Sequence, residues 1–277
     1  MGLQEFWRRF RKNRAAVCGL GCILCLAAVA LAAPYLIGHD PLRVSRSPFV
    51  PPGPAHLMGT DNLGRDVFSG VVHGARVSLL VGLLAAATAT TIGILVGVAA
   101  GYFGGAADHL LMRITELFQV LPRFFLALLI IALFGSGIGK VILVIGVLSW
   151  PPIARLVRAE FLTLRQREFV EAARAVGLGH LRISLGEILP NALPAAIVAG
   201  SLDVAQAILL EASLSFFGLG DPNLVSWGGM LQGAQAYLRR AWWMSAFPGA
   251  AISVTVLAFN LLGDGVNDAL NPRLKER

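Results

Sequence analysis

Apolar residues in this chain fall in long unbroken runs, without the alternating or three-to-four spacing of a water-soluble domain. The first, Ala15 to Ile37, holds 23 residues with no charge, and a helix of that length spans the ~30 Å of a bilayer's hydrocarbon. The second, Val77 to Gly101, is rich in Gly, Ala and Thr, residues that let membrane helices approach closely. In the third, Arg113, Glu116 and Arg123 interrupt the first half, Pro122 bends the chain, and Phe124 to Phe134 is wholly apolar. Its polar half is expected to border the cytoplasm or an aqueous pathway. The fourth, Val141 to Ala154, has only 14 uncharged residues between Lys140 and Arg155. That is short enough to be re-entrant, although snorkelling of the flanking charges allows a full crossing. A fifth run from about Asn191 to Phe217 and a sixth from about Trp243 to Leu262 complete an all-α membrane protein of six transmembrane helices.

Six crossings place both termini on one side. For that arrangement 16 of the 23 Lys and Arg residues share a side: the N-terminal tail, Arg113, Arg123, the segment Arg155 to Arg182 and the C-terminus. The positive-inside bias then predicts that both termini are cytoplasmic. The expected organisation is a tail at 1–14, an anchor helix at 15–37, an external loop at 38–76, a core at 77–265 with a cytoplasmic loop at about 158–190, and a tail at 266–277. The basic stretch Arg8 to Arg14 precedes the first run as in a secretory signal. The run is longer than a signal core and lacks a clear small-x-small cleavage site, so a retained anchor is expected. Trp227, Trp242 and Trp243 fall on the outer side, where amphipathic aromatics favour the interface.

Composition agrees: 56% hydrophobic against 14% charged residues, with a mean hydropathy of +0.71, makes lipid the natural solvent. The net charge of +7 does not point to nucleic acid, because the basic residues lie between apolar runs instead of along one surface. Cys18, Cys22 and Cys25 share one helical face inside an uncharged run, which favours packing against a neighbouring helix over a disulfide framework, redox pair or zinc site. His39, His56 and His73 have no ligand spacing and read as solvated loop residues, so no metal site is expected. Asp61 to Asp66 lacks the oxygen spacing of an EF-hand and reads as a turn-and-cap motif. Gly101 to Gly105 has no following Gly-Lys-Ser/Thr, so the chain is not expected to bind ATP. Asp203 and Glu211 are carboxylates within a span; Glu211 reads as structural, while Asp203 is open between bundle pairing and a place on a transport pathway.

The most informative stretch is Arg158 to Pro190, polar, helix-prone and too short for an enzyme domain. It reads as two short helices, the first from Glu160 to Val176 and broken by Gly177 and Gly179, the second carrying Leu181, Ile183, Leu185 and Ile188 before Pro190. Such an elbow cannot bury both faces alone and is a candidate docking surface.

The run Glu171-Ala172-Ala173-Arg174-Ala175-Val176-Gly177, followed by Ile188-Leu189-Pro190, resembles the EAA loop of binding-protein-dependent ABC importer permeases. Glu187 stands where that pattern often has Ile. Four further blocks are similar to the dipeptide, oligopeptide and nickel permeases of the C-subunit type: Leu57 to Phe68, with Gly59, Thr60, Asp61, Gly64, Arg65 and Asp66; Arg165 to Val170; Leu214 to Gly220; and Asn260 to Gly265. The ending Asp268 to Arg273 also fits. The resemblance implies a type I importer transmembrane domain in the inner membrane, paired with a homologous second permease. It implies one or two ATP-binding subunits that hold ATP and Mg²⁺, and an external solute-binding protein. In that family the loop forms coupling helices seated on the ATPase. Ala172 and Ala173 would permit close approach, Glu171 would supply a charge, and Gly177 would make the bend. Peptide is the expected cargo, with nickel or another small solute as the alternative. An ion-coupled secondary transporter using Asp203 is a rival class, disfavoured by the elbow and by the absence of a clear inverted repeat. A membrane scaffold is a weaker one.

Overall fold

The computed structural model describes residues 3–37 and 41–270. His39, Asp40 and the Asn271 to Arg273 part of the C-terminal motif lie outside the described residues. The elements are α1 (Leu3–Phe10), α2 (Arg14–Leu36), α3 (Val67–Phe103), α4 (Gly105–Val120), α5 (Arg123–Phe134), α6 (Ile138–Leu164), α7 (Glu168–Ala175), the single turn α8 (His180–Arg182), α9 (Leu189–Phe216), α10 (Trp227–Ala234) and α11 (Trp243–Leu270). A π-helical stretch, Ile183–Ile188, joins α8 to α9, so His180 to Phe216 is one continuous helix. Five helices are long and apolar enough to cross a membrane: α2, α3, α6, His180–Phe216 and α11. α4 and α5, bent by 83° where Leu121 and Pro122 interrupt them, are together long and apolar enough for a sixth, broken crossing.

α3 is the central helix. Gly93, Gly97 and Gly101 form a stripe along it, and a Cβ at each would meet Ile153, Ala154 and Phe161 of α6 at 2.7, 2.6 and 2.5 Å. Only glycine lets the two backbones approach this closely, and the rising order of the partners makes α3 and α6 parallel. On another face, Gly82 meets Ile208 and Gly200 of α9 meets Thr90, an antiparallel pairing. α2 lies at the perimeter against α11, where Gly19 faces Ala258 and Leu261. Asn13 caps α2 by accepting from the Ala16 amide at 3.1 Å and donates to Asp268 at 3.0 Å. The start of α2 and the end of α11 therefore meet, and Phe10, Ala16 and Ala269 are buried together there.

Several expectations are corrected. The fourth run is no re-entrant stub but the 27-residue α6, which continues through Pro151 and Pro152. Its apparent end at Arg155 dissolves because that side chain is met across the interface by Gln119 at 2.7 Å, as Arg158 is by Asp108. α3 begins at Val67, capped by the Asp66 carboxylate, so the loop expected to reach residue 76 ends at 66. His73 is consequently a helix residue bonded to the Ser69 carbonyl, and His56 is held by Asp66 at 3.0 Å; neither is a free loop histidine. α11 extends to Leu270, past the expected tail boundary at 266. Trp227 and Trp243 are buried, their indole N–H groups donating to the Val71 and Thr60 carbonyls, while Trp242 alone of the three is exposed. Cys18 and Cys25 are exposed and Cys22 half-buried, since α2 turns Ala16, Gly19, Ile23 and Leu26 toward its neighbours instead.

Candidate functional site

The motif residues gather at the two ends of the bundle, and a cavity lies between them. At the first end the elbow is smaller than the sequence suggests. Glu160, Phe161 and Leu164 belong to α6, and Pro190 lies at the start of α9, directly after the π-helical stretch. What remains is α7 and the turn after it. Val176, Gly177 and Leu178 close α7 with a Schellman motif: Gly177 at φ +81° donates to the Arg174 carbonyl at 2.9 Å, and Leu178 to that of Ala173 at 3.1 Å.

One face of the elbow is anchored. Val170, Ala173, Ile183 and Ile188 are buried with Tyr102, Val157 and Phe161 in a single apolar cluster. Polar contacts strengthen the attachment. Arg165 donates to the Tyr102 carbonyl at 2.7 Å, and the Tyr102 hydroxyl meets His180 Nδ1 at 3.0 Å. Arg158 grips Asp108 with two parallel bonds of 2.5 and 2.6 Å, locking α4 to α6. The opposite face is displayed. Glu171, Ala172, Gly177 and Pro190 are exposed, and so are Phe169, Val176, Leu181 and Leu185, four apolar side chains with no cover from this chain. Sequence reasoning missed the ties through Asp108, Arg165, Tyr102 and His180. The available signal was a carboxylate, Asp108, before the third run and a guanidinium, Arg158, after the fourth, of opposite charge.

At the other end the motif turns inward. Gly59, Thr60 and Gly64 are buried, and Asp61, Arg65 and Asp66 half-buried. Asp61 Oδ1 accepts from the amides of Leu63 at 2.8 Å and Arg65 at 2.7 Å, closing a tight turn. The Thr60 hydroxyl donates to the Ser47 carbonyl at 2.7 Å and accepts from the Val50 amide at 2.8 Å. Gly64 has φ +73°, and a Cβ there would lie 2.5 Å from the Ser45 carbonyl oxygen. Nearby, Glu211 is buried against Ser215 at 2.7 Å and Ser78 at 3.3 Å, joining α9 to α3.

Between the ends, α5, α6, α9 and α11 form an open cavity of about 880 Å³ lined by Arg123, Asp203, Gln206 and Asn260 among apolar neighbours. Arg123 thus opens a helix inside the bundle, not a loop. A second, more polar cavity of about 1290 Å³ toward the elbow is lined by the polar half of the broken crossing, including Arg113, Glu116 and Gln119, together with Arg155. The two share Pro152 and Leu156 as a wall. Among the described residues, no cluster of His, Cys, Asp and Glu could hold a metal ion.

A bundle with a broken crossing, a polar track along one flank and an anchored but uncovered elbow is the architecture of a transport subunit driven by a partner. Residues 93–276 match the family of the binding-protein-dependent transport system inner membrane component, and residues 3–52 match the N-terminal transmembrane domain of oligopeptide transport permease C. The chain is 41% identical to the di/tripeptide transport system permease protein DppC of Pseudomonas aeruginosa, over 99% of this chain and 93% of that one. It is 42% identical to the dipeptide transport system permease protein DppC of Bacillus subtilis, over 98% of this chain and 86% of that one. Its fold is shared with a chain of the MetNI methionine ABC transporter solved in inward facing conformations, with a TM-score of 0.61 at 20% identity, covering 73% of this chain and 97% of that one. The chain belongs to the inner-membrane permease family of binding-protein-dependent ABC importers. As in that family, it is a membrane channel subunit that works with a solute-binding protein and with separate subunits that handle ATP.

Proposed function

We propose that this chain carries short peptides across the inner membrane as one half of a heterodimeric permease, together with a homologous but distinct second permease. The peptide reading is supported by relatives named for di- and tripeptides at 41% and 42% identity over nearly the full chain. The observation that carries the mechanism is the elbow, whose inner face is locked to α3 and α6 while its outer face holds Glu171, Ala172 and uncovered apolar side chains. A surface of that kind transmits force: a rigid body that presses on α7 moves Phe161 and Tyr102, and with them the ends of two spans.

In this reading the elbow and both termini face the cytoplasm, and one or two ATPases, with ATP and Mg²⁺, seat on Glu171, Ala172 and Gly177, while Ala173, which the fold turns inward against this chain's own apolar cluster, holds the base with Ile188 and Pro190. The segment 41–66 and the segment 218–242 around α10 receive the solute-binding protein, with Gly59 to Asp66 setting the loop's shape. Opening and closing of the ATPases rocks the bundle between inward-open and outward-open states. Asp203 lies on the pathway. The test is reconstitution of the chain with its permease partner, ATPases and binding protein in proteoliposomes. ATP-dependent accumulation of a radiolabelled dipeptide is expected. ATP-dependent uptake of nickel or another solute without peptide uptake would refute the cargo, and solute uptake driven by an ion gradient without ATP would refute the class.

A further inference from the structure

Asp203 is the one carboxylate lining the 880 Å³ cavity, and its Oδ2 is shielded from solvent with no hydrogen-bond partner. Arg123 lines the same cavity, yet the ion pairs among the described residues are Arg9–Glu5, His56–Asp66, Arg113–Glu116 and Arg158–Asp108. An anion and a cation therefore share one open cleft at the depth of the spans without closing on each other. Leaving a carboxylate oxygen unpaired away from water is costly, and such residues within spans persist where they meet a ligand or a path. Asp203 and Gln206 lie one turn apart on α9 and Asn260 faces them from α11, so polar groups of two helices converge on the cleft. The remaining walls are largely apolar, including Phe124 and Ile153. The volume falls within the ~300–1,000 Å³ typical of small-molecule sites.

We propose that this cavity is a transit site for zwitterionic peptides, in which Asp203 takes the α-ammonium group and Arg123 faces the carboxylate end. This rests on the peptide reading of the function. An isolated cation site would have no use for the arginine, which repels cations from the same cleft. An anion site would have no use for the aspartate. A free peptide carries both charges, and the apolar walls between them accept its side chains without choosing among them. The cost of stripping water from each terminus is offset by the opposite charge already waiting there.

The test uses the complete complex in proteoliposomes, with the binding protein saturated by a labelled dipeptide or by its analogue carrying a hydroxyl in place of the α-amine. Asp203→Asn is expected to slow dipeptide uptake about tenfold while the complex still assembles with its second permease, ATPases and binding protein in wild-type yield. Asp203→Glu is expected to recover most of the rate. Because the binding protein is the same throughout, its own preference cancels in the ratio of amine to hydroxyl substrate, and that ratio should fall about tenfold in Asp203→Asn. Dipeptide uptake by Asp203→Asn at the wild-type rate, or an equal slowing of both substrates, would overturn the assignment. Wild-type complexes that move no peptide at all would instead remove the functional reading on which it rests.

Discussion

The two ends of this molecule use their motifs in opposite ways. Around Thr60 to Asp66 the polar groups are turned inward: a hydroxyl bonded on both sides, a carboxylate closing a turn, another capping α3, and an indole of α11 holding the Thr60 carbonyl. Around Glu171 to Gly177 only Val170 and Ala173 face inward, and Glu171, Ala172 and Gly177 lie on the surface. The first motif is explained by this chain alone, because its residue types are those needed to fold the loop. The second is not. Glu171 suits the first turn of α7 and Ala172 its helix, but both are exposed, and in the proposed function their role is set by a partner.

That contrast can be broken most severely at the elbow. The double change Glu171→Lys with Ala172→Trp is expected to cost the ATPase contact at least about 2 kcal/mol, as substitutions at an interface hot spot do, and to cut uptake by more than about tenfold. Its thermal midpoint in detergent should match the wild type, since exposed substitutions away from packed features rarely exceed about 0.5 kcal/mol. The loop should respond the other way round. Gly64→Val forces a branched side chain into φ +73° and against Ser45, and is expected to lower stability by about 3 kcal/mol in a thermal unfolding assay. Thr60→Val removes the hydroxyl and strands the Ser47 carbonyl and Val50 amide, a loss of about 2 kcal/mol by the same assay. The smallest effect sharpens the comparison at the elbow itself. Gly177→Ala at φ +81° has open space around it, so about 1 kcal/mol of backbone strain is expected, seen as faster amide exchange confined to the end of α7.

Much of this was legible in the sequence because runs of apolar residues and glycine-terminated motifs are local signals. The broken third crossing follows from Pro122 and the charges before it, and the dense packing of α3 from its small residues. The features that escaped are pairwise. Arg155 and Arg158 look like the end of a span until Gln119 and Asp108, far away in the chain, are seen to meet them. Trp227 and Trp243 look like interface anchors until the carbonyls of Val71 and Thr60 accept their N–H groups. The elbow is legible in the sequence but longer there than in the structure, since the end of α6 and the start of α9 carry the same mixed polarity as α7. Arg123, Gln206 and Asn260 gave no sign of sharing a cavity with Asp203, because only the bend between α4 and α5 and the crossing of α9 and α11 bring them to one place.

The most direct test of the displayed elbow is site-directed cross-linking in native membranes. The three natural cysteines lie together on α2, so they can be replaced without touching the elbow. In that background a cysteine placed at Ala172 should be captured by a bifunctional thiol reagent in a covalent adduct with an ATP-binding subunit, whereas one at Val44 on the opposite loop should not. An adduct at 44 but not at 172, or no ATP-binding subunit captured at either position, would contradict the account.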